Sequence, residues 1–218
     1  ITCDFRTLEG QEVVRRLVAD ADVVIENFKV GGLAKYGLDW ESLRKVNPRL
    51  IYCSITGFGQ DGPYRDYPGH DLTYLALAGI LGFNRGEAGA PHPLPVQVAD
   101  LGAGSMPALT AILAALYSRE RSGQGQYLDV AMLDGALSWL YFLLPLARRP
   151  DLAEEGQGML TGGALCYNVY ETADGRYLAV AALEPHFWSA LCQDIGRPDL
   201  IEYGLNPEPG AAERLAEL

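Results

Sequence analysis

A carboxylate heads a long apolar run in VADLGAGSM, Val98 to Met106. Asp100 is followed by a glycine pair, Gly102 and Gly104, and then by a segment with the character of a core helix. Two kinds of chemistry suit such a stretch. One is a glycine-rich loop that cradles a dinucleotide or S-adenosylmethionine. The other is a carboxylate at a helix N-terminus, where exposed backbone N–H groups favour negative charge and can stabilise an oxyanion. The loop reading is poorly supported. Pro107 stands where GxGxxG requires its third glycine, and about twenty residues on lies RERSGQG, a helix end and turn rather than an acidic strand tip. For Asp100 itself the competing role is structural, because aspartate is among the best N-cap residues.

His70 is one of three histidines. It follows the loop GFGQDGPYRDYPG (57–69) and opens a helix as the centre of GHD. A lone histidine is more often a packing residue, but at this junction an imidazole can serve as a general base, with Asp71 placed to orient it. Glu184, in AALEPHFW, ends a strand before a helix-starting proline. By default it is an exposed acid; burial by Phe187 and Trp188 would raise its pKa and make it useful. His92 and His186 read as surface or packing residues. Arg6, Lys29 and Lys35 are either solvated or deliberately placed phosphate contacts.

The elements that must hold these groups follow from periodicity. Leu8 to Ala19 repeats at helical spacing, Asp22 to Glu26 is a short buried strand, and Asn27 to Gly37 is a loop. Asp39 to Lys45 is a short helix ended by Asn47-Pro48, and Arg49 to Gly59 is a strand running into glycines. Then come a helix over His70 to Leu81, a loop over Asn84 to Pro95, an extended Val96 to Ala99 and a long helix over Leu101 to Glu120. A strand over Tyr127 to Leu133 and a helix over Ser138 to Arg148 complete this part. Strand, helix, strand at this spacing predicts an α/β layer with parallel pairing. Polar RPDLAEEGQG then changes the character of the chain, and Cys166 to Leu183 is a hairpin turning at Ala173-Asp174-Gly175. The expected division is a large domain over 1–148, a linker over 149–165 and a small α+β domain over 166–218.

Composition bounds the rest. Of 218 residues, 49% are hydrophobic and 21% charged, as in ordinary globular proteins. The net charge of -11 argues against a nucleic-acid surface, which needs a basic stripe, but leaves room for a small anionic ligand. No charge-free apolar run reaches bilayer length; the longest candidate, Leu133 to Ala147, is interrupted by Asp134 and Pro145. Cys3, Cys53, Cys166 and Cys192 form no CxxC pair, so neither zinc nor a disulfide framework is expected, and reduced thiols fit a cytoplasmic protein. Ile1 is not an initiator, ITCDF is strand-like with nothing before it, and AAERLAEL runs on as an unfinished helix. The chain reads as a piece of something longer.

Taken together, IENFKVGGLAKYGLDWESLRKVNPRLIYCSITGFGQDGPY, PGHDLTYLALAG, VADLGAGSMPALTAILAALYSRERSGQGQYLDVAMLDG and YNVYETADGRYLAVAALEPHFW resemble the class III CoA-transferase (CaiB/BaiF-type) family over nearly the whole chain. The resemblance implies a Rossmann-like large domain, its N-terminal part missing here, joined to a smaller domain in an interlocked homodimer. The family holds acyl-CoA transferases and 2-methylacyl-CoA racemases. An aspartate at the position of Asp100 is the transferases' nucleophile and, with a GHD histidine matching His70, one of the racemases' two acid/base groups. Glu184 matches the racemases' EPxF glutamate, which pairs with that histidine. Familiar transferases lack both the histidine and this glutamate, which favours the racemase. CoA contacts would fall on Arg6, Asn27, Phe28, Lys29, Lys35, Gly69, Asp71 and Tyr74, with Lys29 and Lys35 standing where arginines are usual. No metal, and no cofactor beyond the CoA of an acyl-CoA substrate, is implied, and neither nucleic acid nor membrane is a partner. In this reading the glycine pair makes room for a thioester, and N–H groups at the start of the Leu101 helix receive the enolate oxygen.

Overall fold

The computed structural model describes residues 1–84, 89–144 and 158–207, together with Ala211 and Leu215. The chain divides into two compact units, Ile1–Ile80 with Leu94–Tyr141, and Leu81–Pro93 with Phe142–Leu218.

In the first unit, helix α1 (Leu8–Ala19) starts at Thr7, whose side chain accepts the Gly10 N–H. It leads into strand β1 (Val23–Glu26), a short 3-10 turn (Ala34–Tyr36) and helix α2 (Trp40–Val46), capped by the Asp39 carboxylate on Ser42 N–H at 2.9 Å. Strand β2 (Ile51–Thr56) pairs parallel with β1 on one side and with β3 (Gln126–Ala131) on the other, giving the order β1-β2-β3. Alternation along β2 sorts the core into two faces. Ile51 and Cys53 pack with Ala108, Ile112 and Ala115 of helix α5 (Met106–Ser122). Tyr52, with the flanking Leu50, packs with Val18, Leu38 and Leu43 on the α1 and α2 side. Helices thus cover both faces of a parallel sheet, as the sequence pattern predicts. Buried Arg119, near the end of α5, ties the helix to the strand starts: it meets the Asp22 carboxylate at 2.6 Å and the Arg49 carbonyl at 3.0 Å.

Three expectations need correction. The helix over 70–81 is broken: α3 spans Asp71–Ala78 and ends at Gly79, whose φ of 91° stops a right-handed helix, before the short α4 (Ile80–Phe83). The stretch expected to be extended, Val96 to Ala99, already enters a wide π-helical turn, Val98–Ser105, that runs directly into α5. Asp100 therefore lies inside the first turn and is not the N-cap. Together the two segments form a 25-residue helix, Val98–Ser122, long and apolar enough by length and composition to cross a membrane; here it carries the sheet-facing core residues just named. Finally, helix α6 is Met132–Ser138, earlier than expected; positions 145–148 of the anticipated helix lie outside the described residues, as do 149–157 of the linker and most of the final segment.

The second unit contains the hairpin. Strands β4 (Tyr167–Glu171) and β5 (Tyr177–Ala181) pair antiparallel. Helix α7 (Pro185–Asp194) follows Glu184. Cys166, Trp188, Cys192 and Leu200 form the unit's core, and Trp188 donates its indole N–H to the Leu200 carbonyl at 3.0 Å.

Candidate active site

All three parallel strands of the first unit point their C-terminal ends at one cavity of about 730 Å³. Asn27 to Val30 follow β1, Ile55 to Phe58 close β2, and Met132 follows β3. The carboxyl edge of a parallel sheet is where open α/β folds bind ligands. The remaining walls are Arg65 to His70, Tyr74, Asp100 and Ser105. His70 and Asp100 thus line the same space. Of the other predicted positions, Asn27, Phe28, Lys29, Gly69 and Tyr74 line it as well.

Asp71 holds the two catalytic candidates in register, by a route the sequence did not suggest. Its side chain is buried, 4% exposed, and does not orient His70. Instead its Oδ1 accepts the backbone N–H groups of Ala99 at 2.6 Å and Asp100 at 3.0 Å. The residue after the histidine thereby fixes the backbone of the aspartate, 29 positions away. Those two N–H groups head the observed helical turn, just ahead of the Leu101 start from which an enolate donor was expected. The next one, on Leu101, donates to the Gln97 carbonyl at 3.1 Å. The start of this helix is therefore not the oxyanion site that its sequence suggests.

Asp100 is partly buried, and its carboxyl is pushed above the ordinary 3.8, first by burial and then by the Asp71 charge, with His70 acting in the opposite direction. Asp100 and His70 thus line one cavity, and the carboxyl binds its proton more tightly than a solvated one. The glycine pair beside Asp100 serves packing rather than ligand space. A Cβ on Gly104 would sit 2.8 Å from Met132 Cγ, and one on Gly102 would sit 3.2 Å from the Trp139 ring.

Tyr74 is the best-fixed side chain of the cavity. Its ring lies between Gly57 and Gly69, and a Cβ on either glycine would come within 2.5 Å of the ring. Phe58 meets it edge-on at 5.3 Å and continues through Tyr64 to Tyr67, so the glycine-rich loop is held by a chain of aromatic contacts.

The expected phosphate cations separate. Lys29 faces the cavity; Arg6 and Lys35 do not line it. Arg6 is exposed and bound at 2.8 Å by Asp4, whose carboxyl it lowers to about 2. The Lys35 amine lies 4.8 Å from the Tyr36 ring centre. Phe5, next to Arg6 in the chain, packs edge-on against Phe28 of the cavity wall and against Tyr36 at 5.5 and 5.4 Å. Arg65, Ser105 and Met132 were missed. The glycine-rich composition of 57–69 marks Arg65 as part of a functional loop, whereas nothing local marks Ser105 or Met132. Glu184 belongs to the second unit, at the N-terminus of α7.

Residues 1–217 match the family described as CoA-transferase family III. The chain belongs to that family. It is 38% identical to the alpha-methylacyl-CoA racemase of Mus musculus, over 90% of this chain and 52% of the relative. It is 44% identical to the succinate–glutarate CoA-transferase of Agrobacterium fabrum, over 90% of this chain and 48% of the relative. A CaiB/BaiF family protein from Brucella suis superposes with a TM-score of 0.81 at 38% identity, covering all of this chain and 57% of that one. The chain thus spans about half the length of these relatives, and both racemase and transferase names occur among them.

Proposed function

We propose that the protein handles acyl-CoA thioesters and exchanges the α-proton of a 2-methylacyl-CoA, inverting that carbon by a two-base route. The observation that carries this reading is the pair His70 and Asp100 on one cavity at the strand ends, with the carboxyl of Asp100 raised above its ordinary value by burial and the Asp71 charge. One group removes the α-proton, the C–H electrons pass into the thioester as an enolate, and the other group returns a proton to the opposite face. Lys29, Asn27 and Phe28 receive the CoA, with Arg6 and Lys35 at the outer rim, and no cofactor is needed beyond the CoA of the substrate. In the same reading the protein works as an interlocked homodimer in the cytoplasm.

A second reading is favoured by the 44% identity to a CoA-transferase. Asp100 attacks the thioester carbonyl and CoA leaves as thiolate; the acceptor carboxylate then attacks the aspartyl carbonyl of the anhydride and displaces the donor acid as carboxylate, and the CoA thiolate attacks the acceptor acyl carbonyl, which forms the new thioester and frees Asp100. One experiment separates the two. A single enantiomer of a 2-methylacyl-CoA is incubated with the protein in deuterated water, with and without a free carboxylic acid. Deuterium at the α-carbon with loss of optical purity supports the racemase. CoA transfer to the added acid without α-exchange supports the transferase.

A further inference from the structure

The cavity wall that leads up to His70 is a loop: segment 57–69 supplies it from Arg65 to Gly69. Three hydrogen bonds hold the base of this loop. The Thr56 hydroxyl accepts the Gly59 N–H at 3.0 Å, the Gly57 carbonyl accepts the Leu133 N–H at 3.0 Å, and the Asp129 carboxylate accepts the Gln60 N–H at 2.9 Å. Asp129 is the one charged group of the three, and it reaches the loop across 69 positions of sequence. Beyond Gln60, among the described residues, the loop's backbone–backbone bonds stay within it: the Arg65 N–H donates to Gly62 at 3.4 Å and the Tyr67 N–H to Tyr64 at 2.9 Å. Asp129 is therefore the last tether from the sheet before the arc that carries Arg65 to Gly69.

Strand β3 sets the carboxylate in place. Asp129 lies in register with Ser54 of β2, and Gly59, with a φ of 83°, turns the chain close over it: a Cβ on Gly59 would lie 3.6 Å from Asp129 Oδ2. The carboxyl is pushed above the ordinary 3.8, first by desolvation; the Gln60 N–H acts against that rise, and the charges of Asp61 and Asp134 add to it. Desolvation and like charge thus oppose the ionised form, and the loop N–H is the contact that favours it.

We infer that Asp129 is a positioning residue, whose carboxylate holds the Gln60 N–H and thereby sets the loop wall that runs from Arg65 to His70. It does not line the cavity and acts only through the loop. The inference rests on the acyl-CoA reading, and its test includes a signal independent of turnover.

The intact protein, Asp129→Ala and Asp129→Asn are compared by hydrogen–deuterium exchange and by binding and α-deuteration of 2-methylpropanoyl-CoA. A bond to a charged acceptor that is partly open to water shifts the balance of the loop about 3–10-fold. In Asp129→Ala the amides of 57–69 exchange faster by that factor, while those of 106–122 in α5 keep the parent rate. Affinity for the thioester falls with the fraction of molecules whose wall is formed, by at most the same factor. The kcat stays within about twofold, because bound substrate orders the loop again. Asp129→Asn keeps an oxygen for the Gln60 N–H and falls between the parent and Asp129→Ala in both readouts. Parent-like exchange of 57–69 in Asp129→Ala overturns the inference, and so does an equal rise in 57–69 and 106–122, or a faster loop with unchanged affinity. Should Asp129→Ala not fold, Asp129→Asn decides: faster exchange confined to 57–69 supports the inference, and the parent rate there overturns it. A loop-specific change with weakened thioester binding, in a protein that neither exchanges α-protons nor transfers CoA, supports the positioning role and sinks the proposed reactions. Failure of the parent protein to bind the thioester overturns both.

Discussion

Asp71 offers the sharpest test of how this site is built. Its Oδ1 takes two backbone N–H groups, at 2.6 and 3.0 Å, in a buried setting. Hydrogen bonds to a charged acceptor contribute about 1.5–3 kcal/mol each, so Asp71→Ala should cost about 3–6 kcal/mol. Asp71→Asn keeps an oxygen in place and loses the charge. Charge-assisted bonds are roughly twice as strong as neutral ones, so the amide should forfeit about half of that total. The two variants also differ in what they do to Asp100. The Asp71 charge is the second cause of its raised pKa. Removing the charge while keeping the geometry must lower it. Denaturation followed by the emission of Trp40 and Trp139, which belong to the same unit, gives the stability ranking parent, Asn, Ala. The pH profile of kcat/KM gives the electrostatics: where Asp100 acts as base, the acid limb of Asp71→Asn moves to lower pH. Asp71→Ala within about 0.5 kcal/mol of the parent would refute the hydrogen-bond account, since that is ordinary surface-substitution scatter. An acid limb that moves upward in Asp71→Asn would refute the charge account, even if Asp71→Ala proves too unstable to assay.

Other consequences follow from the same contacts. Because the carboxyl of Asp100 is raised on folding, its ionisation works against the folded state: the penalty is absent below about pH 3.8, grows as pH rises through the folded pKa and persists at neutrality. Asp100→Asn should therefore melt above the parent at pH 7 while losing activity, and thermal melts should converge below pH 3.8; a lower melting point at pH 7 contradicts this. Gly69→Ala drives a methyl to 2.5 Å from the Tyr74 ring and should cost about 1–3 kcal/mol with a displaced tyrosine, visible as reduced turnover; a fully active, equally stable variant would show the clamp to be unimportant. Arg119→Ala removes one carboxylate and two carbonyl contacts, and about 1–3 kcal/mol is expected because two partly buried carbonyls lose their donor while the exposed Asp22 carboxylate adds little. Urea titration of that variant decides the point, and a cost below about 0.5 kcal/mol would reject it.

Much of this fold is legible in the sequence where local signals agree. The helical repeat over 8–19 coincides with α1, and the short helix expected over 39–45 and ended by Asn47-Pro48 is α2. The aromatic and β-branched alternation around Asp174-Gly175 yields the antiparallel β4–β5 hairpin. The stretch before α5 is different. Val98 to Ser105 is apolar and small, with no period to separate strand, α-helix and π-helix, and tertiary contacts decide among them. Asp71 bonds the first N–H groups of this turn from another helix, and Met132 and Trp139 crowd the two glycines. Those partners lie about 30 residues away in the chain, beyond the reach of any local pattern.

The site shows the same division between identity and arrangement. His70, Asp100 and Lys29 are named from the residues themselves and Asn27, Phe28, Gly69 and Tyr74 from the family resemblance, and one cavity is lined by all seven, whereas Arg6, Lys35, Asp71 and Glu184 do not line it. Their arrangement was not legible, because it depends on which hydrogen-bonding groups are already occupied. A helix start suggests free N–H donors, but a buried aspartate elsewhere can occupy them, and here Asp71 does. A glycine pair suggests space, but here helix α6 fills it. Satisfying the helix start engages those N–H groups. It also places a second carboxylate beside Asp100, which keeps that group's proton affinity high. One buried residue thus sets the position of Asp100 and helps raise its pKa.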